Sequence, residues 1–336
     1  VPNWLHTLAT FVVAAGTTLS AFWILSLNSW LHTPQGHEVI DGVIYAKDWS
    51  AIIFNPSFPY RFSHMLLASG LTASFLIAGL SAYRLLIGDN KIAPKLALKT
   101  ATYTAAVLIP LQILAGDMHG LNTLEHQPQK VAAMEGVWET EQGAPLLLFA
   151  IPDEQERTNH AELAIPNLAS FILTHELDGE IKGLNEFRGE HPPVAPVFYS
   201  FRVMVGMGVL MLFAAWAGSY YLFRRGELPD WLGKLFIAMS FSGWVATLAG
   251  WYVTEVGRQP YLVSGVLRTA DAVTGLPPQN IGLSFTLYAV IYAVLMVAYI
   301  RTLTLMCRKS VGIEEISKGD ADERHTNKLD IANSNS

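Results

Sequence analysis

Six stretches of this 336-residue chain are each long and apolar enough to cross a lipid bilayer, and no other feature restricts its fold as much. They run roughly Trp4–Leu31, Phe62–Ile87, Ala97–Gly116, Val197–Phe223, Trp231–Val256 and Ile281–Cys307. A span needs about 20 mostly apolar residues. Backbone at that depth must bond within its own helix or close into a barrel, because hydrocarbon offers no other partner. The runs are evenly apolar, without the alternation of strands, so an all-α membrane protein of about six transmembrane helices is expected. Composition agrees: 15% of residues are charged, against about 25% in an ordinary soluble domain.

Charges in the connections give an orientation. Arg84, Lys91, Lys95 and Lys99 flank one connection, Arg224, Arg225 and Lys234 another, and Arg308 and Lys309 follow the last span. Lys and Arg concentrate on the cytoplasmic side, so connections 32–61, 119–196 and 257–280 are expected outside. The 119–196 loop has 13 acidic and 4 basic residues, a net −9, while the whole chain is −6. Lipid is the expected environment, and nucleic acid is not an expected partner. The chain then divides into helices over 1–118, an extracytoplasmic loop over 119–196, helices over 197–307 and a polar tail over 308–336, expected to be disordered. It enters its first apolar run directly after Val-Pro-Asn, without a signal-peptide layout, and reads as part of a longer or processed chain. With Cys307 the single cysteine, any haem would be held by coordination alone.

Groups capable of chemistry are few within the spans. Of ten histidines, His6 and His64 are expected in or against a span. That is too few for a four-His, two-haem core or for the adjacent histidines of a haem–copper centre. His64 stands near the outer end of the second segment, in "YRFSHMLLASG". An ordinary interfacial histidine bonded to a neighbour is the plainer explanation. The fourth segment enters from the same side as "FYSFRVMVGMGVLM", placing Met204 about two turns deep. Gly208 follows one turn along the same face, and Ala68 lies one turn beyond His64, so a flat macrocycle would find room. A His/Met pair makes a low-spin haem suited to electron transfer, and Arg202 is placed for a propionate. Taken alone, Met204 is ordinary packing. Trp251, Glu255 and Arg258, spaced i, i+4, i+7, share one helix face. A carboxylate there needs an ion partner, a proton or a metal. A Glu–Arg staple, with Gly257 and Pro260 making the exit turn, explains that pattern as well.

Taken in order, the motifs resemble subunit I of cytochrome bd-type quinol oxidases. They are His64 in "FSHMLLASG", "QKVAAMEGVWET" (129–140), "FRVMV" (201–205) and "GWYVTEVGRQPY" (250–261), with "APLLLFAIPD" (144–153) and "VLRTADAV" (266–273). Subunit I in that family has nine spanning helices, and the six here resemble the last six. The first three, with the His and Glu residues that serve the high-spin haems, are not represented. Tyr261 stands where Trp is more usual, and the loop is of the short kind found in many cyanide-tolerant members.

The resemblance implies a terminal oxidase that oxidises quinol and reduces dioxygen to water without pumping protons. It implies a low-spin haem b, a high-spin haem b, and a haem d or second high-spin haem b. His64 and Met204 match the axial ligands of the low-spin haem, and Glu255 the carboxylate ligand at the high-spin pair. Arg258 matches the neighbouring propionate arginine, and Trp251 a relay between the haems. Lys130 and Glu135 match the quinol-loop pair, where a carboxylate near the quinol hydroxyl serves as base. Without the resemblance, a Lys and a Glu five apart are ordinary solvated helix charges. The implied partners are subunit II, a small single-helix subunit, ubiquinol or menaquinol, and dioxygen. The implied place is the bacterial cytoplasmic (inner) membrane, with the quinol loop on the periplasmic or outer side. Two other functions compete: a low-spin haem carrier that binds quinol without reducing oxygen, and a non-haem transporter. Transporters usually break paired helices at the midplane, and Pro110 is the only such mark.

Overall fold

Every apolar segment is helical, and most of the helices run past the apolar stretch that announces them. The computed structural model describes residues 2–89 and 91–309. Along the chain, α1 (Asn3–His32) leads to a hairpin of β1 (His37–Ile40) and β2 (Val43–Ala46). A short helix follows, α2 (Trp49–Ile53), capped by the Asp48 carboxylate on the N–H groups of Ser50 and Ala51. Helices α3 (Phe58–Leu86) and α4 (Ile92–His126) come next. The connection over 119–196 holds α5 (Pro128–Glu135), β3 (Glu141–Gln142), β4 (Leu146–Asp153), β5 (Thr158–Ile165), α6 (Leu168–Thr174) and β6 (Glu180–Ile181). After it come α7 (Val194–Arg225), α8 (Asp230–Ala238) and α9 (Ser242–Val256). The chain closes with β7 (Tyr261–Val263), β8 (Leu267–Arg268) and α10 (Pro278–Lys309). Among the described residues the strands pair as antiparallel two-stranded units, β1–β2, β3–β6, β4–β5 and β7–β8. The membrane part is all helix, and the strands sit in the connections.

Two boundaries correct the sequence expectation. The third span does not stop at Gly116: α4 continues ten residues to His126. Polar side chains lower hydropathy without ending a helix. The end comes at Gln127, whose φ of −142° and ψ of 59° fit the steric exclusion of α geometry before a proline, here Pro128. His119 and His126 therefore ride on a spanning helix and His32 closes α1, so the histidine inventory of the spans was undercounted. The fifth span is also interrupted, with a single 3-10 turn at Met239–Phe241 between α8 and α9.

That interruption is fitted to α3. A Cβ on Gly79 would lie 2.0 Å from Ser240 Oγ, and one on Gly243 would lie 2.5 Å from Thr72 Cα. Only glycine allows so close an approach. Leu71, Phe75, Leu98, Ile109, Met211 and Phe236 form the main core between α3, α4, α7 and α8. The outer helices α1 and α10 keep large apolar side chains exposed, such as Phe11 at 70% and Phe285 at 74%. Hydrocarbon is as apolar as these side chains, so no burial is needed there. The disordered tail expected over 308–336 lies, apart from the backbone of 308–309, outside the described residues.

Candidate functional site

Helix α5 carries the "PQKVAAME" stretch, and its charges are buried. Pro128 starts it at a position where no N–H is needed, and Gly136 ends it in the left-handed region at φ 73°. Lys130 is 2% exposed and Glu135 5%, so neither is a solvated helix charge. Five positions apart, they lie about 140° around the helix from one another. Lys130 Nζ donates to Gln127 Oε1 at 2.7 Å and lies 3.0 Å from His32 Nδ1. Glu135 Oε2 faces Arg202 Nη2 at 3.5 Å. Among the described residues no hydrogen bond or ion pair joins Lys130 to Glu135. Burial pushes the Glu135 carboxyl above its ordinary range, with Arg202 opposing. Burial pushes the Lys130 ammonium well below its own, helped by Arg61 and Arg258 and resisted by Glu255.

Arg202 has protein partners that its spacing did not announce. Its Nε donates to the Leu147 carbonyl at 2.9 Å, and Nη1 donates to the carbonyls of Phe198, at 3.2 Å, and Met134. Its guanidinium lies 3.4 Å from the Phe198 ring centroid. These partners tie the side chain to α5 and β4, and its charge faces Glu135.

The Glu255–Arg258 pairing is present, with Arg258 Nη2 donating to Glu255 Oε2 at 2.5 Å. Tertiary packing brings more. Asn28 Nδ2 donates to Glu255 Oε1 at 2.8 Å, and His32 Nε2 stands 4.0 Å from the same oxygen. Arg61 Nη1 donates to Asn28 Oδ1 at 3.4 Å. Three cations, Arg61, Lys130 and Arg258, are thus buried around one carboxylate. Burial also lowers the Arg258 guanidinium, against the pull of Glu255. Arg61 Nε, Arg258 Nε and Nη1, and His32 Nε2 are buried without a hydrogen-bond partner among the described residues. Unpaired charge and unpaired donors at this depth are costly. Trp251 lies half-buried one turn before Glu255 on α9. Asn28, His32 and Arg61 were not singled out from sequence. The available signals were an i, i+4 polar pair in the last turns of α1 and an arginine three residues before His64.

Deeper in the bundle, His64 Nε2 lies 2.9 Å from the Gln112 amide nitrogen, and the His119 ring is centred 5.8 Å away. Glycines stand beside both expected haem ligands. A Cβ on Gly116 would come 3.4 Å from His64 Nε2, and one on Gly250 would come 3.0 Å from Met204 Sδ. Two clefts open near α5. One of about 320 Å³ is lined by Glu135, Trp138, Leu147, Arg157, Asn159 and Glu162 among others. The other, about 510 Å³, includes His32, His126, Phe187, Glu190 and Tyr261.

Comparison with known proteins accords with this arrangement. The family model for cytochrome bd terminal oxidase subunit I matches residues 1–311. The chain is 32% identical over 339 residues to cytochrome bd ubiquinol oxidase subunit 1 of Bacillus subtilis (strain 168), covering 97% of this chain and 70% of that one. It is 29% identical over 366 residues to cytochrome bd-II ubiquinol oxidase subunit 1 of Escherichia coli (strain K12), covering 87% and 71%. The fold matches bd oxidase from Geobacillus thermodenitrificans with a TM-score of 0.82 at 31% identity, over 92% of this chain and 71% of that one. With six membrane-length helices, ordered motifs and a matching fold, this multi-pass membrane chain belongs to the cytochrome bd terminal oxidase subunit I family.

Proposed function

We propose that this chain oxidises quinol at its outer loop and passes the electrons, through haems it holds, to dioxygen, which is reduced to water. The observation that carries this is the buried cation excess around Glu255. Arg61, Lys130 and Arg258 surround one carboxylate, and several of their donors have no partner. Such a site calls for further anionic groups, and haem propionates are anions of the right kind. Glu255 would hold an iron at the high-spin pair, a haem b with a haem d or second haem b, while Asn28 and Arg258 fix its orientation. His64 and Met204 would hold the low-spin haem b, with Gly116 and Gly250 leaving space beside them. Trp251 would lie between the two haem regions. When bound, the haems supply one-electron transfer and oxygen reduction.

The chain's own residues handle the quinol. Its headgroup would lie in the cleft of about 320 Å³, where Glu135 accepts a hydroxyl proton. A base within hydrogen-bond reach speeds such a step by about 10²–10⁴-fold. Arg202 steadies the carboxylate through its ion pair and is itself fixed by three backbone carbonyls. Lys130, on the other side of α5, links that helix through His32 and Gln127 to the Glu255 cluster. The loop over 119–196 is the quinol unit, between helical units over 1–118 and 197–307. It faces the periplasmic or outer side of a bacterial cytoplasmic membrane. Subunit II and a small single-helix subunit complete the complex, and ubiquinol or menaquinol is the donor.

Oxygen uptake by the complete complex tests this. Proteolytic cleavage within 119–196 from the outer face should stop quinol-driven uptake and spare uptake driven by an artificial donor that reduces the haems directly. Loss of both activities with haem retained, or of neither, refutes it.

A further inference from the structure

The cleft beside Glu135 has a second polar anchor, outside every motif that marks the family. Arg157 sits at the turn between β4 and β5, with φ 54°. Its Nε donates to Asn185 Oδ1, and its guanidinium lies 5.5 Å from the Trp138 ring centroid. Its Nη2 is buried and has no hydrogen-bond partner among the described residues. Trp138 is held in turn: its Nε1 donates to Asn159 Oδ1 at 2.9 Å, and Asn159 Nδ2 donates to the Gly136 carbonyl at 2.9 Å. Glu135 Oε2, in the same lining, is also without a hydrogen bond.

The lining therefore holds a buried acceptor, whose ion partner Arg202 stands 3.5 Å away, and a buried donor, both without a hydrogen bond among the described residues, together with an indole. Leaving such groups unpaired is unfavourable unless a ligand completes them. Among the lining residues Arg157 is the one cation, facing Glu135, Glu139, Glu141 and Glu162. A para-hydroquinone has the complementary form: a flat ring with one oxygen at each end. One end must give up a proton, and the other gathers negative charge as the ring is oxidised.

We infer that Arg157 is the second headgroup-binding residue of the quinol site, its Nη2 donating to the hydroquinone oxygen remote from Glu135. This rests on the assignment of the cleft to quinol. Arginine keeps its proton, so it binds and does not act as base. Oxidation removes two electrons, which a bound ferric haem would accept one at a time, and two protons from the hydroquinone. Glu135 takes one proton, and water at the acidic mouth takes the other. The ring leaves as the quinone. The bond from Arg157 strengthens as its oxygen becomes anionic, because hydrogen bonds between ionised partners are about twice as strong as neutral ones.

The test uses the complete complex and a short-chain quinol. Arg157→Gln should raise the quinol KM about tenfold, the equivalent of one charge-assisted hydrogen bond. Artificial-donor oxygen uptake and haem absorption should stay unchanged. Arg157→Lys, which keeps the charge and loses the fork, should fall between. A KM within twofold of the parent in Arg157→Gln overturns the assignment, as does an equal loss of quinol and artificial-donor uptake. If Arg157→Gln does not assemble, Arg157→Lys decides, and an unchanged KM there overturns it. Glu135→Gln separates the two ideas. If it abolishes quinol uptake while Arg157→Gln changes nothing, the cleft stands and Arg157 falls. If it leaves quinol uptake intact, the assignment of the cleft to quinol falls.

Discussion

The buried pair Glu135–Arg202 allows stability and catalysis to be pulled apart. The two charges lie 3.5 Å from each other, with side chains 6% and 16% exposed. At an effective dielectric of about 20 their attraction is roughly 5 kcal/mol. Removing a carboxylate from water costs several kcal/mol in the other direction. Glu135→Gln removes both terms and keeps the shape, so its net effect on stability should be small, within about 1–2 kcal/mol. Arg202 keeps its bonds to the carbonyls of Leu147, Phe198 and Met134. Arg202→Leu is different: it strands the carboxylate and frees three buried carbonyls, and should cost about 3–5 kcal/mol. Catalysis should run the other way for Glu135→Gln, which loses its base and about 10²–10⁴-fold in quinol turnover. The assay is thermal unfolding of the purified complex beside oxygen uptake with quinol and with an artificial donor. Quinol turnover within twofold of the parent in Glu135→Gln would refute the base. A cost below about 1 kcal/mol in Arg202→Leu would refute the account of the pair.

Other outcomes follow from the same geometry. His64→Ala and Met204→Leu should each abolish the low-spin haem absorption, and a normal six-coordinate spectrum in either would remove that residue as a ligand. Glu255→Ala should displace a high-spin haem and most oxygen uptake, and Glu255→Asp should do nearly as much because the carboxylate recedes by one methylene. Unchanged haem content and turnover in Glu255→Ala would return the pair to a helix staple. Quinol turnover should rise with pH through the raised Glu135 value, above the ordinary 4.5. Arg202→Gln should move that limb higher still, because Arg202 is the influence opposing the rise. In stability the sign is opposite. The raised Glu135 value contributes fully below 4.5, and the contribution is lost as pH rises through the folded value. An acid limb that stays in place in both Glu135→Gln and Arg202→Gln, read from pH–rate profiles, would assign it to another group.

Much of the architecture was legible in the sequence because it depends on local rules. Hydropathy over about 20 residues locates a span wherever the backbone must satisfy itself in hydrocarbon. Spacing puts Glu255 and Arg258 three residues apart on one side of the chain, and the structure joins them at 2.5 Å, with Arg258 in the turn just past the end of α9. Helix ends were less legible, since α4 runs on through polar residues until the backbone meets Pro128.

What tertiary structure alone decided is which distant polar groups meet away from water. Asn28 and His32 from α1, Arg61 from α3 and Lys130 from α5 come to the neighbourhood of Glu255 only because those helices converge there. Packing of β4 and α5 against α7 gives Arg202 three carbonyls and Glu135 as partners, none of which its place beside Met204 in the sequence announces. Lys130 and Glu135 share one short motif and face different surroundings. Arg157 reaches the cleft from a hairpin turn that carries no motif. Sequence spacing sets the face of a helix that a side chain occupies. Burial and electrostatic partners are set by what packs against that face, and those contacts span up to 227 positions of the chain here.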